Sequence, residues 1–273
     1  MDWHRSVRRK GEMWMAEKIT IKGKTIGAGT PCICVPVTEE TADSIIEEIK
    51  LLSEKKTDMI EWRMDWFSQV TNRYEVQQIL KEVQPVLKDT ILLLTFRSQR
   101  QGGHMQLSSK EILDIYLDAA ETGVPDMIDV EYFEYERPMK ALKKLKECGV
   151  YTISSHHDFE KTPDMNVMHM LLEKMQAGGA DIVKLAVMPE DKQDVLRLLG
   201  ITERFTQEYP QTPIITMSMG KMGMISRISG EIFGSCVTFG SHEKASAPGQ
   251  IQMDELRQML EKMHDMTKER LAV

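Results

Sequence analysis

Apolar residues fall in short runs along this chain, and the stretches between them carry apolar positions at helical spacing. The runs at residues 32–37, 59–65, 91–97 and 127–133 predict strands, and four more follow at 150–155, 182–187, 214–219 and 236–240. Helices are predicted over 41–54, 74–87, 109–122, 138–148, 164–177, 189–208, 225–232 and 254–268. In the first of these, Ile45, Ile46, Ile49 and Leu52 mark one face and Thr41 is placed to cap the start. A strand followed by a helix, repeated in this way, predicts a parallel α/β protein, and a span of roughly 240 residues matches a (β/α)8, or TIM, barrel. The rival is an open doubly wound sheet, but the first strand runs into Val35-Pro36-Val37-Thr38 where that fold carries a glycine-rich phosphate loop. No linker rich in Pro, Gly or Ser divides the chain. Residues 18–273 therefore read as a single barrel domain, with a short hairpin at its start (18–29) and a flexible arm before it (1–17).

Composition narrows the function. With 35 Lys+Arg against 42 Asp+Glu in 273 residues, the formal charge is −7, which argues against a nucleic-acid partner because phosphate neutralisation needs a basic face. No apolar run approaches the ~20 residues of a membrane span. The N-terminal stretch lacks the apolar core of a secretory signal, and the sequence reads as cytoplasmic. Four cysteines (Cys32, Cys34, Cys148 and Cys236) are too scattered for a disulfide framework. Cys32-x-Cys34 has no second pair at metal-ligand spacing, so buried inert thiols are the expectation rather than zinc. The 21 methionines are assigned no chemistry as a class.

The predicted strands place charge where a barrel keeps its active site, on the inward face towards the C-terminal ends. In the second strand Ile60, Trp62 and Met64 alternate with Glu61, Arg63 and Asp65. In the third, Leu92, Leu94 and Phe96 face outward and leave Arg97 pointing in. The fourth sets Ile128, Val130 and Tyr132 against Asp129 and Glu131, and the sixth sets Val183, Leu185 and Val187 against Lys184. Desolvation and neighbouring arginines would favour a neutral Lys184 amine that attacks a carbonyl, which is Schiff-base chemistry; a snorkelling lysine is the plainer reading. His156-His157-Asp158 follows the fifth predicted strand, where an imidazole serves as acid and base, against the plainer reading of a polar loop. Gly102-Gly103 and Gly230–Gly234 read as turns, and residues 244–250, with Ser246 and Gln250, suit a closing loop.

The motifs Glu61-Trp-Arg-Met-Asp65, Thr95-Phe-Arg-Ser98, His157-Asp-Phe159, Lys184-Leu-Ala-Val-Met-Pro189, Ser218-Met-Gly220, Ile225-Ser-Arg227 and Ala245-Ser-Ala-Pro-Gly-Gln250, in this order, resemble type I 3-dehydroquinate dehydratase. The resemblance implies a barrel of the shikimate pathway of aromatic amino acid biosynthesis, converting 3-dehydroquinate to 3-dehydroshikimate and water. Lys184 matches the family's Schiff-base lysine and His157 its general acid and base. Arg227 matches the guanidinium that binds the substrate carboxylate. Glu61, Arg63 and Arg97 match residues that hold ring hydroxyls, Met219 an apolar wall, and Ser246 and Gln250 the closing loop. No metal or cofactor is implied, and a homodimer is the family's usual state. One position departs: Gln101 stands where the family commonly carries a glutamate bonded to the catalytic histidine. Two further readings stay open at this point, an aldolase-type Schiff-base barrel and a barrel that binds a pathway intermediate without turning it over.

Overall fold

The computed structural model describes residues 19–244 and 246–270; the expected arm over 1–17 lies outside the described residues. The chain opens on an antiparallel hairpin, β1 (Ile19–Ile21) and β2 (Lys24–Ile26), turned by Lys22 and Gly23 with φ of 49° and 76°. Two positive φ values are what a two-residue hairpin turn needs to follow the strand twist. Strand–helix units follow: β3 (Cys32–Val37) and α1 (Ala42–Glu54), β4 (Met59–Arg63) and α2 (Arg73–Val83), β5 (Ile91–Thr95) and α3 (Ser109–Ala120), then β6 (Met127–Glu131) and α4 (Pro138–Glu147). The second half comprises β7 (Tyr151–Asp158), α5 (Met165–Ala177), β8 (Ile182–Val187), α6 (Lys192–Glu208), β9 (Ile214–Ser218), the short α7 (Met224–Ile228) and α8 (Gly230–Phe233), β10 (Val237–Ser241), β11 (Ile251–Gln252) and α9 (Met253–Arg270).

Strands β3 to β9 pair in parallel in chain order, and β10 pairs β3. A parallel bridge between Ile214 and Ser235, with the Cys236 N–H donating to the Ile214 carbonyl at 2.8 Å, joins the two ends of the sheet. The result is the (β/α)8 barrel. Its outward residues, Ile60, Trp62, Leu92, Leu94, Ile128 and Val130 among them, pack in one cluster with the inner faces of the helices. Val183, Leu185 and Val187 do the same against α5 and α6. Inside, Met59, Ile91, Met127, Ile153 and Ile182 fill the N-terminal end together with Ile21 and Ile26, so the hairpin plugs that mouth. Lys22 ties the plug to Asp126 and the Thr90 carbonyl.

The element boundaries depart from the sequence pattern for local reasons. Strands β4, β5 and β6 end two residues early, and β4 and β6 run directly into 3-10 turns, Met64–Trp66 and Tyr132–Glu134. The fifth barrel strand is instead longer than expected: β7 includes His156, His157 and Asp158, which pair with Leu185, Ala186 and Val187 of β8. Its partner β6 stops at Glu131, opposite Ser155, so only one edge of β7 is laddered there. Helix α2 gives way to a 3-10 turn at Pro85, and α6 begins only at Lys192, capped by Asp191, whose side chain accepts from the Asp194 N–H. The helix expected over 225–232 is split at Ser229, and the second piece opens on Gly230, where a Cβ would lie 2.5 Å from the Ser235 carbonyl oxygen. The Thr41 cap forms as expected, accepting from Ser44 N–H. No helix among the described residues is long and apolar enough to cross a membrane.

Beneath the C-terminal rim, the Tyr116 hydroxyl accepts from the Phe96 N–H at 2.6 Å and donates to the Asp129 carbonyl at 2.9 Å, holding the ends of β5 and β6 in place. Tyr116→Phe removes a partner from both buried groups and is expected to cost about 1–3 kcal/mol in urea unfolding.

Candidate active site

A cleft opens at the C-terminal end of the barrel, with about 490 Å³ of space between its walls and the solvent at its mouth. Every residue matched to the family's site in the sequence lines it: Glu61, Arg63, Arg97, Gln101, His157, Lys184, Met219, Arg227, Ser246 and Gln250; of the other strand charges, Asp65, Asp129 and Glu131 do not. The period of two along each strand explains the convergence, since Ser155 and His157 on β7 face the same way as their register partners Lys184 and Ala186 on β8.

Lys184 is buried, 3.1 Å from Asp129 and 3.7 Å from Glu61, with its ammonium 4.3 Å from the centre of the Phe239 ring. Neighbouring arginines were the expected influence on it; its ion-pair partners are instead two carboxylates. Arg97 donates to Glu131 at 2.8 Å, to Ser155 Oγ at 3.0 Å and to Asp129 at 3.0 Å. Burial by itself would raise the Asp129 carboxyl, but Arg97 and Lys184 outweigh it and hold it down at about 2. Arg63 grips Asp65 with two bonds of 2.8 Å, and Asp65 also accepts from the Arg97 and His104 backbone N–H groups. Asp65 thus fastens the β5–α3 loop, and it is not among the side chains lining the cleft.

Arg227 differs from the other cations. Its guanidinium donates to the Phe239 and Pro248 carbonyls at 3.2 and 3.0 Å, leaves Nε without a partner, and meets no carboxylate among the described residues. Burial lowers its pKa to about 10. A buried, uncompensated guanidinium is an anion seat. Arg63, Arg97 and Lys184 are each answered by an acid, so the uncompensated positive charge of the cleft is this one group.

His157 is placed by Gln101, whose Oε1 accepts from the His157 backbone N–H at 2.8 Å and lies 3.1 Å from Nδ1. Burial, and then the positive charges of Arg97 and Lys184, push the imidazole well below its usual 6.5. Ser246 and Gln250 bond each other, Ser246 N–H to Gln250 Oε1 at 2.7 Å and Gln250 Nε2 to Ser246 Oγ at 3.0 Å. Their loop rests on Gly220, whose N–H donates to the Pro248 carbonyl at 3.1 Å.

Several lining residues escaped the sequence reading. Gly102, at φ 81°, presses its Cα on the Phe159 ring, where a Cβ would come within 2.5 Å. Phe159, Ala186, Met217 and Phe239 complete the walls. For Ala186 the signal was present, two positions beyond Lys184 on the same strand face. The three barrel cysteines, Cys32, Cys34 and Cys236, are free and buried, and burial pushes their thiols up, Cys32 to about 12. Among the described residues no cluster of three or more His, Cys, Asp or Glu side chains is arranged to hold a metal.

The profile of the family described as Type I 3-dehydroquinase matches residues 33–267. A 3-dehydroquinate dehydratase of Clostridium novyi is 42% identical over 249 residues, covering 91% of this chain and 98% of the relative. The 3-dehydroquinate dehydratase of Bacillus subtilis is 42% identical over 251 residues, covering 92% and 98%. Among solved structures, the type I 3-dehydroquinate dehydratase of Clostridium difficile, described with covalently modified comenic acid, matches with a TM-score of 0.88 at 42% identity, over 92% of this chain and all of that one. The Geobacillus kaustophilus enzyme matches at 0.89 and 33% identity over 92% and 98%. A buried lysine, a part-buried histidine and an arginine without a carboxylate partner among the described residues, lining one barrel mouth and carried by a sequence matched over nearly its whole length, have one common explanation: the chain belongs to the type I 3-dehydroquinase family.

Proposed function

We propose that this cleft dehydrates 3-dehydroquinate to 3-dehydroshikimate and water, within the shikimate pathway, through an imine on Lys184. The observation that carries the reading is the placement of Lys184 and His157 on one face of adjacent strands, in a cleft whose one cation without a carboxylate partner among the described residues is Arg227. A relative 42% identical is described with a covalently modified ligand, which supports covalent chemistry at the matching cleft.

In this reading Arg227 takes the substrate carboxylate and so orients the ring. The Lys184 amine attacks the C3 ketone and water leaves, forming a protonated imine. The iminium withdraws electrons and acidifies the C2 proton, which neutral His157 removes. The imidazolium then protonates the departing C1 hydroxyl, a second water leaves, and hydrolysis of the imine releases the product and restores Lys184. Glu61, Arg63 and Arg97 hold ring hydroxyls, Met219 packs against the ring, and Ser246 and Gln250 close over it. The lysine is the electron sink, so no metal or organic cofactor enters. A cytoplasmic homodimer with a small anionic substrate is the working form this resemblance carries; the net charge of −7 argues against nucleic acid, and the small anion is met locally by Arg227.

Borohydride added with 3-dehydroquinate is expected to trap a mass increase on Lys184. Lys184→Ala loses the adduct and roughly 10⁴-fold or more in kcat; binding with no adduct and no product would leave a non-catalytic barrel. Arg227→Ala is expected to raise KM by about 10–100-fold, the loss of a charge-assisted pair worth roughly 1.5–3 kcal/mol, read in steady-state kinetics.

The depressed His157 pKa keeps the ring neutral, and therefore a base, at neutral pH. The acid limb of kcat/KM should accordingly lie below pH 6.5. A carboxylate beside Nδ1 stabilises imidazolium, so Gln101→Glu is expected to move that limb upward; an unchanged pH–rate profile would count against Gln101 as the ring's neighbour in catalysis.

A further inference from the structure

The backbone N–H of His157 has lost its strand partner, because β6 ends opposite Ser155, and Gln101 receives it. Gln101 is 2% exposed and comes from the 3-10 turn Gln99–Gln101. On its other side the amide Nε2 donates to Glu134 Oε1 at 3.3 Å. The two neighbours have a fixed hydrogen-bond sense: a peptide N–H only donates, and an ionised carboxylate only accepts. The amide therefore has one permitted orientation, with oxygen towards His157 and nitrogen towards Glu134. That oxygen also lies 3.1 Å from His157 Nδ1, so Nδ1 carries the ring proton in the neutral state and Nε2 is the free base.

We propose that Glu134 is a positioning residue of this site: acting through the Gln101 amide, it holds His157 as its Nδ1–H tautomer. This rests on the assignment of His157 as the base. It also accounts for the neutral residue at position 101. A glutamate there would accept from His157 equally well, but it would turn a second carboxylate towards Glu134. Among the side chains of this size and shape, only glutamine accepts on one side and donates on the other. Without Glu134 only the His157 backbone N–H still selects the amide oxygen; the turned amide then loses one favourable partner fewer, its population rises, and its NH₂ facing Nδ1 moves the proton to Nε2, the wrong nitrogen for abstraction.

The surroundings of both groups bear on any titration. His157 faces Arg97, Lys184, Arg63 and its neighbour His156. Glu134 lies 3.5 Å from the exposed Arg100 guanidinium, and its charge also acts on His156. None of these replaces Glu134 as acceptor for the amide.

Glu134→Ala is expected to lower kcat about 10-fold with KM within about twofold, as loss of an outer hydrogen-bond partner commonly does. Borohydride trapping on Lys184 should persist. Glu134→Gln keeps an acceptor oxygen and is expected to restore kcat to within about threefold of the native enzyme. In ¹⁵N-histidine NMR above the acid limb, native His157 should show a protonated Nδ1, and Glu134→Ala should shift population to protonated Nε2. Native kcat in Glu134→Ala, or a reduced kcat with an unchanged tautomer, would overturn the proposal. Native turnover in His157→Ala would instead remove the base assignment on which it rests.

Discussion

Asp129 sits fully enclosed at the base of the cleft, with Arg97 and Lys184 on one carboxylate oxygen and the Ser155 hydroxyl on the other. Burying an ion costs several kcal/mol unless its partners are close and well aligned. Here the partners come from three other places in the wall, the end of β5, β7 and β8, so satisfying this one charge fixes four strands in their order of height. The carboxyl remains ionised across all ordinary pH because its cationic neighbours outweigh its burial. Below it the barrel interior is apolar, filled by Met59, Leu93, Ile153 and Ile215; above it the interior is polar and open. The floor of the site is this ion cluster, and truncating Asp129 would take one of two acid partners from each of two buried cations at once.

That cluster also decides what the cleft attracts. Arg63 is answered by Asp65, Arg97 by Asp129 and Glu131, and Lys184 by Asp129 and Glu61. Arg227 is held by peptide carbonyls, which position a guanidinium without neutralising it. The attraction for an anion is thus concentrated where α7 meets β10, at Phe239, whose ring the lysine also touches. A bound carboxylate there would set the distance between the rest of the ligand and Lys184, so recognition and chemistry fall to different side chains.

Much of this was legible in the sequence because a barrel strand writes its two faces in alternate letters. Ile60, Trp62 and Met64 against Glu61 and Arg63, or Val183, Leu185 and Val187 against Lys184, give both the strand and the direction of its charges. The resemblance then supplied the order of the motifs, and all ten residues matched to the family's site line one cleft. What the pattern hid was pairing across space. That Asp129 would sit on Lys184 depends on the register of β6, β7 and β8, which no single strand encodes. That His157 would lie inside β7 depends on β8 continuing its ladder while β6 turns away into Tyr132–Glu134. Glu134 belongs to that turn and reads in sequence as an ordinary surface acid. Gln101 was visible as a departure, but the reason for it lies 33 residues further along the chain.

The hairpin at the N-terminal end of the barrel has a consequence for traffic. Ile21 and Ile26 stopper that end, and Lys22 latches the stopper to Asp126. A tube closed at one end has a single doorway, so ligand, product and released water all pass the same threshold, beside the Ser246–Gln250 latch on Gly220. Exchange in such a vessel is sequential: the old occupant must clear the opening before the next can enter.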